Sequence, residues 1–260
     1  MISSTKNPKI QWVRRLQQSS TARKAENAFV IEGVRLIEEG LNSGWEIQYI
    51  FHSDDLSERG KKLLRESIKG GIQVEIVTDN VLKAISLTKT PQGILAVLKM
   101  RTISIPEQLD FVLILDQIRE PGNLGTILRS ASAAGVQAVF LTRGTVDPFS
   151  PKVLRAAMGA HFCLPVCSAR WAEIKSYFEQ YSLHPYLATV GAGDIYYQAN
   201  FQRPLALILG GEAEGASDAA RDIAGTNVHI PMYGGGESLN VSVAAGILLF
   251  EIARQREKNQ

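Results

Sequence analysis

Continuous apolar runs recur through the second half of the chain and alternate there with stretches of helical periodicity. A strand that is apolar on both faces must be buried on both faces, as in a parallel sheet covered by helices. The strand-like runs are FVLILD, VQAVFLT, FCLPV, HPYLATV, LALILG and NVHIPM, and the helical ones are PGNLGTILRSASAAG, PKVLRAAMGA and a terminal stretch from about Val241 to Arg254. The pattern predicts an α/β fold, in which ligands normally bind at the carboxyl ends of the strands.

Residues 28 to 98 carry a similar alternation in shorter pieces. Apolar runs such as AFVIEG, EIQYIFHS and ILAVLK are separated by amphipathic stretches such as LSERGKKLLRESIKG. The segment from Arg101 to Gln108 interrupts both patterns and contains a proline. We therefore predict a small α/β domain over residues 1–105 and a larger domain over residues 106–260.

The composition is that of a folded globular protein. Of the 260 residues, 45% are hydrophobic and 21% are charged, and no repeat runs along the chain. Cys163 and Cys167 have no second cysteine pair and no suitably spaced histidines, so neither a disulfide framework nor a zinc site is predicted. The first residues lack an apolar signal core, and the run from Val243 to Phe250 is too short to span a bilayer. These features predict a soluble, cytoplasmic protein without a bound metal.

Positive charge is concentrated at the start of the chain. The net charge is only +2, but no acidic residue precedes Glu26. The basic residues of this stretch are Lys6, Lys9, Arg14, Arg15, Arg23 and Lys24. Such an arm suits the phosphates of a nucleic acid, although a solvated helix face with Trp12, Val13 and Leu16 turned inward explains the same pattern.

The first of three glycine-bearing loops follows the run FVLILD. Pro121-Gly122 predicts a turn and Asn123 predicts a helix cap. The helix would then carry one apolar stripe, flanked by Arg129. Taken alone, a capping asparagine and an arginine at the edge of a helix are equally consistent with a purely structural role.

The other two loops follow LALILG and NVHIPM. In the second loop, Gly210 and Gly211 would let a ligand approach the backbone closely, with Glu212 at the end of the strand. In the third, a run of three glycines precedes Ser238 and Asn240, which stand where an almost wholly apolar helix begins. Burial of that helix is predicted, either in the core or at a subunit interface.

Together the three loops resemble the three motifs of the SpoU/TrmH family of RNA ribose 2'-O-methyltransferases. The first is NLGTILRSA at Asn123–Ala131, the second is LGGEAEG at Leu209–Gly215, and the third is IPM at Ile230–Met232 followed by SLNVSVA at Ser238–Ala244. The resemblance covers roughly residues 110 to 256, and the first hundred residues look like the family's ribosomal-protein-like substrate-binding domain. It implies a SPOUT fold, whose parallel sheet ends in a deep carboxy-terminal trefoil knot.

The resemblance also implies a site and a cofactor, S-adenosylmethionine. The catalytic residues it implies are Asn123, Arg129, Glu212, Ser238 and Asn240. The cofactor-binding residues it implies are Leu209, Gly210, Gly211, Glu212, Ile230, Met232, Ser238 and Leu239. The chain departs from the family pattern at Gly211, where an asparagine or similar side chain is frequent, and at Ala213, where glycine is common.

The role of Arg129 has two interpretations. The family proposal makes this arginine the base that receives the proton of the ribose 2'-hydroxyl, yet a guanidinium normally stays protonated. Alternatively, Arg129 remains charged, stabilises the developing alkoxide and binds the adjacent phosphate. Arg129 is therefore also a candidate for RNA binding.

Other functions are compatible with parts of the pattern. A dinucleotide-binding oxidoreductase is disfavoured, because no G-x-G-x-x-G follows a strand. A noncatalytic RNA-binding relative stays open. The two-domain plan resembles family members that act on large-subunit RNA more than the single-domain transfer RNA enzymes, so the resemblance favours ribosomal RNA as the substrate. The apolar terminal helix, with the family's habit of building its site at a twofold interface, predicts a homodimer.

Overall fold

The structure is a computed structural model and describes residues 1–88, 90–212 and 214–257. It divides into two compact units. The first unit comprises residues 1–101 together with 149–162, and the second comprises residues 102–148 and 163–260. Residues 149–162, which the sequence analysis assigned to the second domain, therefore cluster with the first unit.

The first unit is a small α/β unit. Its helices are α1 (Pro8–Gln18), α2 (Ser20–Glu26), α3 (Val34–Asn42), α4 (Glu58–Lys69), α5 (Asp79–Ile85) and α7 (Pro151–Ala157), and its strands are β1 (Ala28–Glu32), β2 (Ile47–His52), β3 (Gln73–Ile76) and β4 (Ile94–Lys99). The described residues form a mixed sheet of order β1-β4-β2-β3, in which only β2 and β3 run parallel. The strands and helices predicted over residues 28–98 are present, whereas α5 was not predicted.

Helix α1 shows why the basic arm folds. The Asn7 side chain accepts a hydrogen bond from the Lys9 amide at 2.9 Å, and Pro8 occupies the first helical turn. The helix buries Val13 and Leu16, as predicted, and Ile10 as well, whereas Trp12 is only partly buried against the same core.

Residues 149–162 complete the aromatic core of the first unit. The Phe149 ring centroid lies 5.0 Å from that of Phe29, and the Phe162 centroid lies 5.5 Å from that of Trp45. The Trp45 indole also donates a hydrogen bond to the Phe162 carbonyl at 3.3 Å. Aromatic pairs of this kind add to the stabilisation that burial gives, so this insertion belongs to the first core.

The second unit is built on a parallel sheet. Its strands are β5 (Phe111–Asp116), β6 (Ala138–Leu141), β7 (Val166–Ser168), β8 (His184–Thr189), β9 (Asp194–Ile195), β10 (Leu205–Gly210) and β11 (Thr226–His229), and its helices are α6 (Pro121–Ala133), α8 (Trp171–Gln180), α9 (Asp218–Ile223) and α10 (Val241–Glu257). Within the described chain the order is β7-β6-β5-β10-β8-β11-β9, and every neighbouring pair is parallel. The predicted parallel sheet is confirmed.

The central strands β5 and β10 are the most apolar, because both of their faces are covered. Phe111–Asp116 is buried throughout, and Leu205–Leu209 is buried up to Gly210. Since the strands are parallel, their carboxyl ends lie at one edge of the sheet. The segments that follow β5, β10 and β11 therefore leave from the same edge.

Two details of the predicted pattern were wrong. The run FCLPV (162–166) is not a strand: it begins in a short 3-10 helix (Ala160–Phe162), and β7 starts only at its last residue, Val166. Asn123 is not the cap of α6. Because Pro121 occupies the first turn, the helix starts earlier, and the Glu120 side chain accepts the Gly122 amide at 3.0 Å.

Helix α10 is only partly buried. Ala245, Leu248 and Ile252 are buried, and the helix packs against α6 and β10. Val243 and Phe250, by contrast, are 50% and 52% exposed in the single chain. The expected burial of the whole helix is therefore not met by one chain alone.

Within the described residues, no helix is both long and apolar enough to cross a membrane.

Candidate active site

A cleft of about 830 Å³ opens where β8, β10 and β11 end. The last residues of β10, the segment that follows β11 and the start of α10 form its walls. Its volume falls in the range of small-molecule sites, roughly 300–1,000 Å³.

Beside the cleft, polar side chains from the three loops form one hydrogen-bonded chain. Asn123 Nδ2 donates to Glu212 Oε1 at 2.9 Å, and Asn240 Nδ2 donates to Asn123 Oδ1 at 3.1 Å. The Ser242 amide and hydroxyl donate to Asn240 Oδ1 at 2.8 and 2.6 Å. Asn240 therefore caps α10, as predicted, while it holds Asn123.

The Glu212 carboxylate lies at the start of α6. Besides Asn123, it accepts hydrogen bonds from the backbone amides of Arg119 and Glu120 at 3.3 and 3.4 Å. Burial alone raises the pKa of the Glu212 carboxyl, but the bonds from Asn123 and from the backbone amides of Glu212, Arg119 and Glu120 outweigh it, so the pKa lies below its ordinary value. Glu212 is therefore ionised at neutral pH.

The two glycines after β10 are required by the chain itself. A Cβ on Gly210 would overlap the backbone of Gly215 and Ala216, and one on Gly211 would lie 2.7 Å from the Gln117 carbonyl oxygen. These glycines permit close approach of backbone to backbone, in addition to the approach of a ligand that the sequence predicts. The departure at Gly211 therefore has a packing reason, whereas Ala213 lies outside the described residues.

A model of the SpoU rRNA methylase family matches residues 110–250, a range that contains the whole hydrogen-bonded chain. The chain belongs to the SpoU rRNA methylase family. Family membership identifies it as an RNA methyltransferase. A model of the MRM3-like substrate-binding domain matches residues 7–96 of the same SpoU family chain.

Relatives match this SpoU family chain over almost its whole length. The 23S rRNA (guanosine(2553)-2'-O)-methyltransferase RlmP of Bacillus subtilis is 34% identical, over 96% of this chain and 98% of its own. The human mitochondrial rRNA methyltransferase 3 is 31% identical, over 94% of this chain and 71% of its own. The crystal structure of the SpoU methyltransferase AviRb from Streptomyces viridochromogenes, in complex with AdoMet, gives a TM-score of 0.87 at 27% identity and covers 97% of this chain and 100% of its own.

The structure brings most of the SpoU motif residues together. The residues predicted to bind the cofactor all line the cleft: Leu209, Gly210, Gly211, Glu212, Ile230, Met232, Ser238 and Leu239. Asn123 does not line it but is bonded to Glu212 and Asn240, which do.

Arg129, predicted to be catalytic, lies away from the cleft in this structure. It is exposed on α6, six residues beyond Asn123 and thus about 120° around the helix axis. It does not line the cleft, and no hydrogen bond or ion pair engages its side chain within the described part of the chain. A single copy therefore leaves the Arg129 guanidinium in solvent.

Sequence reasoning missed one wall of the cleft. Thr189, the last residue of β8, lines it together with Val190 and Ala192, which follow the strand. The rule that ligands bind at the carboxyl ends of parallel strands, applied to HPYLATV, would have found them. Arg221 and Asn227 also line the cleft, and no motif singled them out.

Histidines and metal-ligand clusters contribute nothing to this cleft. His52, His161, His184 and His229 are absent from its walls. Over the residues that the structure describes, no group of three or more His, Cys, Asp or Glu side chains is placed to hold a metal ion.

The basic arm is less available than its sequence indicates. Arg23 is only 4% exposed and donates to the carbonyls of Leu16 and Gln17 at 2.6 and 3.2 Å, so it stabilises the α1–α2 corner and cannot be offered to a phosphate. Lys9 is paired with Glu75, and Arg15 is paired with Glu26 at 2.8 Å. In the described structure, Lys6, Arg14 and Lys24 have no acidic partner.

We predict that Asn123→Ala raises the pKa of Glu212, because the variant loses a hydrogen bond that favours the ionised carboxylate. A lowered pKa in the folded state contributes stability above the ordinary glutamate pKa and loses it as pH falls through the folded-state value. The variant should therefore depend less on pH in that acidic window. Carboxyl NMR titration measures the shift directly.

Thr126→Ala is the matched control, because Thr126 lies on the same helix and its hydroxyl bonds only the Gly122 carbonyl, at 2.9 Å. Titration of Glu212 at the wild-type position in Asn123→Ala would contradict the role of Asn123.

Proposed function

We propose that this chain transfers a methyl group from S-adenosylmethionine to a ribose 2'-hydroxyl of large-subunit ribosomal RNA. The observation that carries the proposal is that Asn240, Asn123 and Glu212 are hydrogen-bonded in series beside the cleft. The protein that contains them belongs to a family of RNA methylases. The matches to RlmP and to the mitochondrial enzymes, both rRNA methyltransferases by name, favour ribosomal over transfer RNA.

The residues of the cleft fit the cofactor. The volume of about 830 Å³ is ample for a nucleoside joined to an amino acid. Gly210, Ile230 and Leu239 line the cleft, and their main-chain groups suit the polar edge of an adenine. Glu212 and Glu237 both line the cleft, and their negative charges suit a cationic ligand.

When bound, S-adenosylmethionine supplies an electrophilic methyl group on a sulfonium sulfur. A ribose hydroxyl is a weak nucleophile, so the protein must orient it and receive its proton. Asn123 and Asn240 hold each other in one geometry, and Glu212 stays ionised, so these groups are positioned before substrate arrives. The two roles of Arg129, as base or as a charge that stabilises the alkoxide, both remain part of the proposal.

We predict that loss of the gene removes a 2'-O-methyl group from ribosomal RNA and that the wild-type chain restores it. The Arg129→Ala variant should not restore this methyl group, because its rate of methyl transfer should fall roughly 10²–10³-fold or more. Its affinity for the cofactor should persist, because Arg129 lies outside the cleft. Asn240→Ala should lose both cofactor affinity and about 1 kcal/mol of stability through the lost helix cap.

Ribose-methylation mapping, calorimetry with S-adenosylmethionine and transfer rates measure these effects. If the deletion strain lacks a methyl group in transfer RNA and not in ribosomal RNA, the substrate is transfer RNA. A wild-type chain that binds the cofactor and RNA without transfer would support a noncatalytic relative. Near-native transfer by folded Arg129→Ala would remove Arg129 from the mechanism.

A homodimer forms part of the proposal. Two observations support it: Val243 and Phe250 leave one side of α10 half exposed, and Arg129 lies on α6, the helix that packs against α10. Joining two such faces about a twofold axis buries the apolar side chains and brings Arg129 of one copy towards the cleft of the other.

We predict that mixing Arg129→Ala chains with Glu212→Ala chains restores transfer. In a mixed dimer, one site combines an intact Glu212 with an Arg129 from the other copy, so up to about a quarter of wild-type sites are regained. Each variant alone serves as the control. Mixed dimers that form, as seen by native mass spectrometry, but stay inactive would place Arg129 at the site of its own chain.

The trefoil knot belongs to the proposal as well. In the sheet, strand β10 lies between β5 and β8. In the sequence, it comes after β9, which lies at the far edge of the sheet, and before β11, which lies on the other side of β8. Helix α10 then returns to α6 and β10. These crossings support passage of the last segment through an earlier loop, a rare topology that would immobilise the segments lining the cleft.

The first unit is the proposed RNA-binding domain. It corresponds to the domain predicted over residues 1–105, as against 106–260, with residues 149–162 added to it. Its match to the MRM3-like substrate-binding domain supports this role, and so do Lys6, Arg14 and Lys24, which have no acidic partner among the described residues. The free thiol of Cys167 suits a reducing compartment, so we place the reaction in the cytoplasm.

We predict that replacing Lys6, Arg14 and Lys24 with glutamine weakens RNA binding and lowers the slope of log affinity against log salt by about 2 to 3, as for three lost phosphate contacts. The matched control replaces Lys61, Lys62 and Arg65 on α4 with glutamine. It removes the same number of positive charges, but Glu58 and Glu66 already lie beside these cations. Equal effects of the two triple variants would make the contribution one of net charge alone.

A further inference from the structure

Asp116 ends β5 and is only 1% exposed. No Lys, Arg or His side chain pairs with it in the described part of the molecule, and it does not line the cleft. Burial of a carboxylate that has only neutral donors is costly, so such a group is retained where its oxygens are needed. Neither the sequence motifs nor the cleft accounts for it.

Each oxygen of Asp116 binds a different segment. Oδ1 accepts from the Thr142 hydroxyl at 2.8 Å, and Oδ2 accepts from the Ser217 backbone amide at 2.8 Å. Thr142 follows β6, and Ser217 caps α9 at the end of the loop that carries Glu212. The carboxylate thus joins the ends of β5 and β6 to the far end of the Glu212 loop.

The same contacts control the segment that leads into α6. The Thr142 hydroxyl that donates to Asp116 also accepts from the Gln117 amide at 3.2 Å. Gln117 has a φ of 59°, a left-handed conformation that few residues other than glycine adopt, so it needs such support. From there the chain turns to present the amides of Arg119 and Glu120 to Glu212.

The start of the Glu212 loop, at Gly211, is held close to Asp116 as well. A Cβ on Gly211 would lie 2.7 Å from the Gln117 carbonyl oxygen, so the start of the loop packs on the residue next to Asp116. An isolated antiparallel bridge pairs Gly211 with Gly215, shortly before Ser217. Both segments that surround the Glu212 carboxylate are therefore attached at Asp116.

We propose that Asp116 is a positioning residue for methyl transfer: through Thr142 and Ser217 it sets the place of the Glu212 carboxylate and thereby the orientation of Asn123. This inference rests on the function proposed above. With its two acceptor oxygens, the carboxylate accepts from the Thr142 hydroxyl and from the Ser217 amide at the same time. Asp116 itself touches neither the cleft nor the reacting groups.

The test compares Thr142→Val with Thr142→Ser. The valine is nearly isosteric but cannot bind Asp116 or Gln117, whereas the serine keeps the hydroxyl. Thr142→Val should raise the pKa of Glu212 and speed amide hydrogen exchange over residues 117–120 and 211–217 in the protein alone. It should also lower kcat by about 100-fold, as expected for a small displacement of reacting groups, with KM for RNA unchanged. Thr142→Ser should restore all three quantities.

Asp116→Asn is the second variant. Its single oxygen can keep the Ser217 amide, so it should lie between wild type and Thr142→Val in each measurement. Ser67→Ala is the control for general destabilisation, because it removes a buried hydroxyl bonded to Leu63 in the first unit. It should lower stability without moving the titration of Glu212.

A folded Thr142→Val protein with wild-type exchange, titration and kcat would overturn the proposal. So would a loss of kcat that matches the loss of folded protein while Glu212 titrates unchanged. The exchange and titration readouts need no methyl transfer. They therefore test the positioning role even if the wild-type chain proves inactive on ribosomal RNA.

Discussion

The bond between Asn123 and Glu212 joins two connections that are 89 residues apart in sequence. It is possible only because β5 and β10 are neighbours in a parallel sheet, so that the segments after them leave from the same edge. The amino end of α6 then adds its backbone amides and its positive dipole end to the Glu212 carboxylate. Burial of the strands thus determines where the only anionic group of this hydrogen-bonded chain of residues lies.

The arrangement places a charged group and two amides in a defined geometry before any ligand is present. Asn123 donates to Glu212 and accepts from Asn240, so its amide orientation is determined at both ends. Asn240 is determined in turn by its bonds from Ser242 at the start of α10. A site built from mutually satisfied groups needs little reorganisation during the reaction, which is the main source of electrostatic catalysis.

The fold could be predicted from the sequence because its central strands are continuous apolar runs. Motif residues also indicated the loops that meet at the cleft. Side-chain patterns carry no information on backbone donors, so the contribution of the Arg119 and Glu120 amides could not be predicted. Arg23 was interpreted as a phosphate-binding charge because the sequence does not show that its side chain is buried. Asn123 was taken for a cap because Pro121, which moves the start of α6, was interpreted only as a turn residue.

The insertion of residues 149–162 into the first unit has a consequence for synthesis on the ribosome. The aromatic core around Phe29 and Trp45 needs Phe149 and Phe162. That core cannot be completed when the amino-terminal hundred residues emerge; it waits until residue 162 has left the exit tunnel, by which time β5 and α6 have also been made. The first unit is therefore completed only after part of the second unit has been made. Exchange of the amino-terminal unit between relatives would have to include residues 149–162 as well.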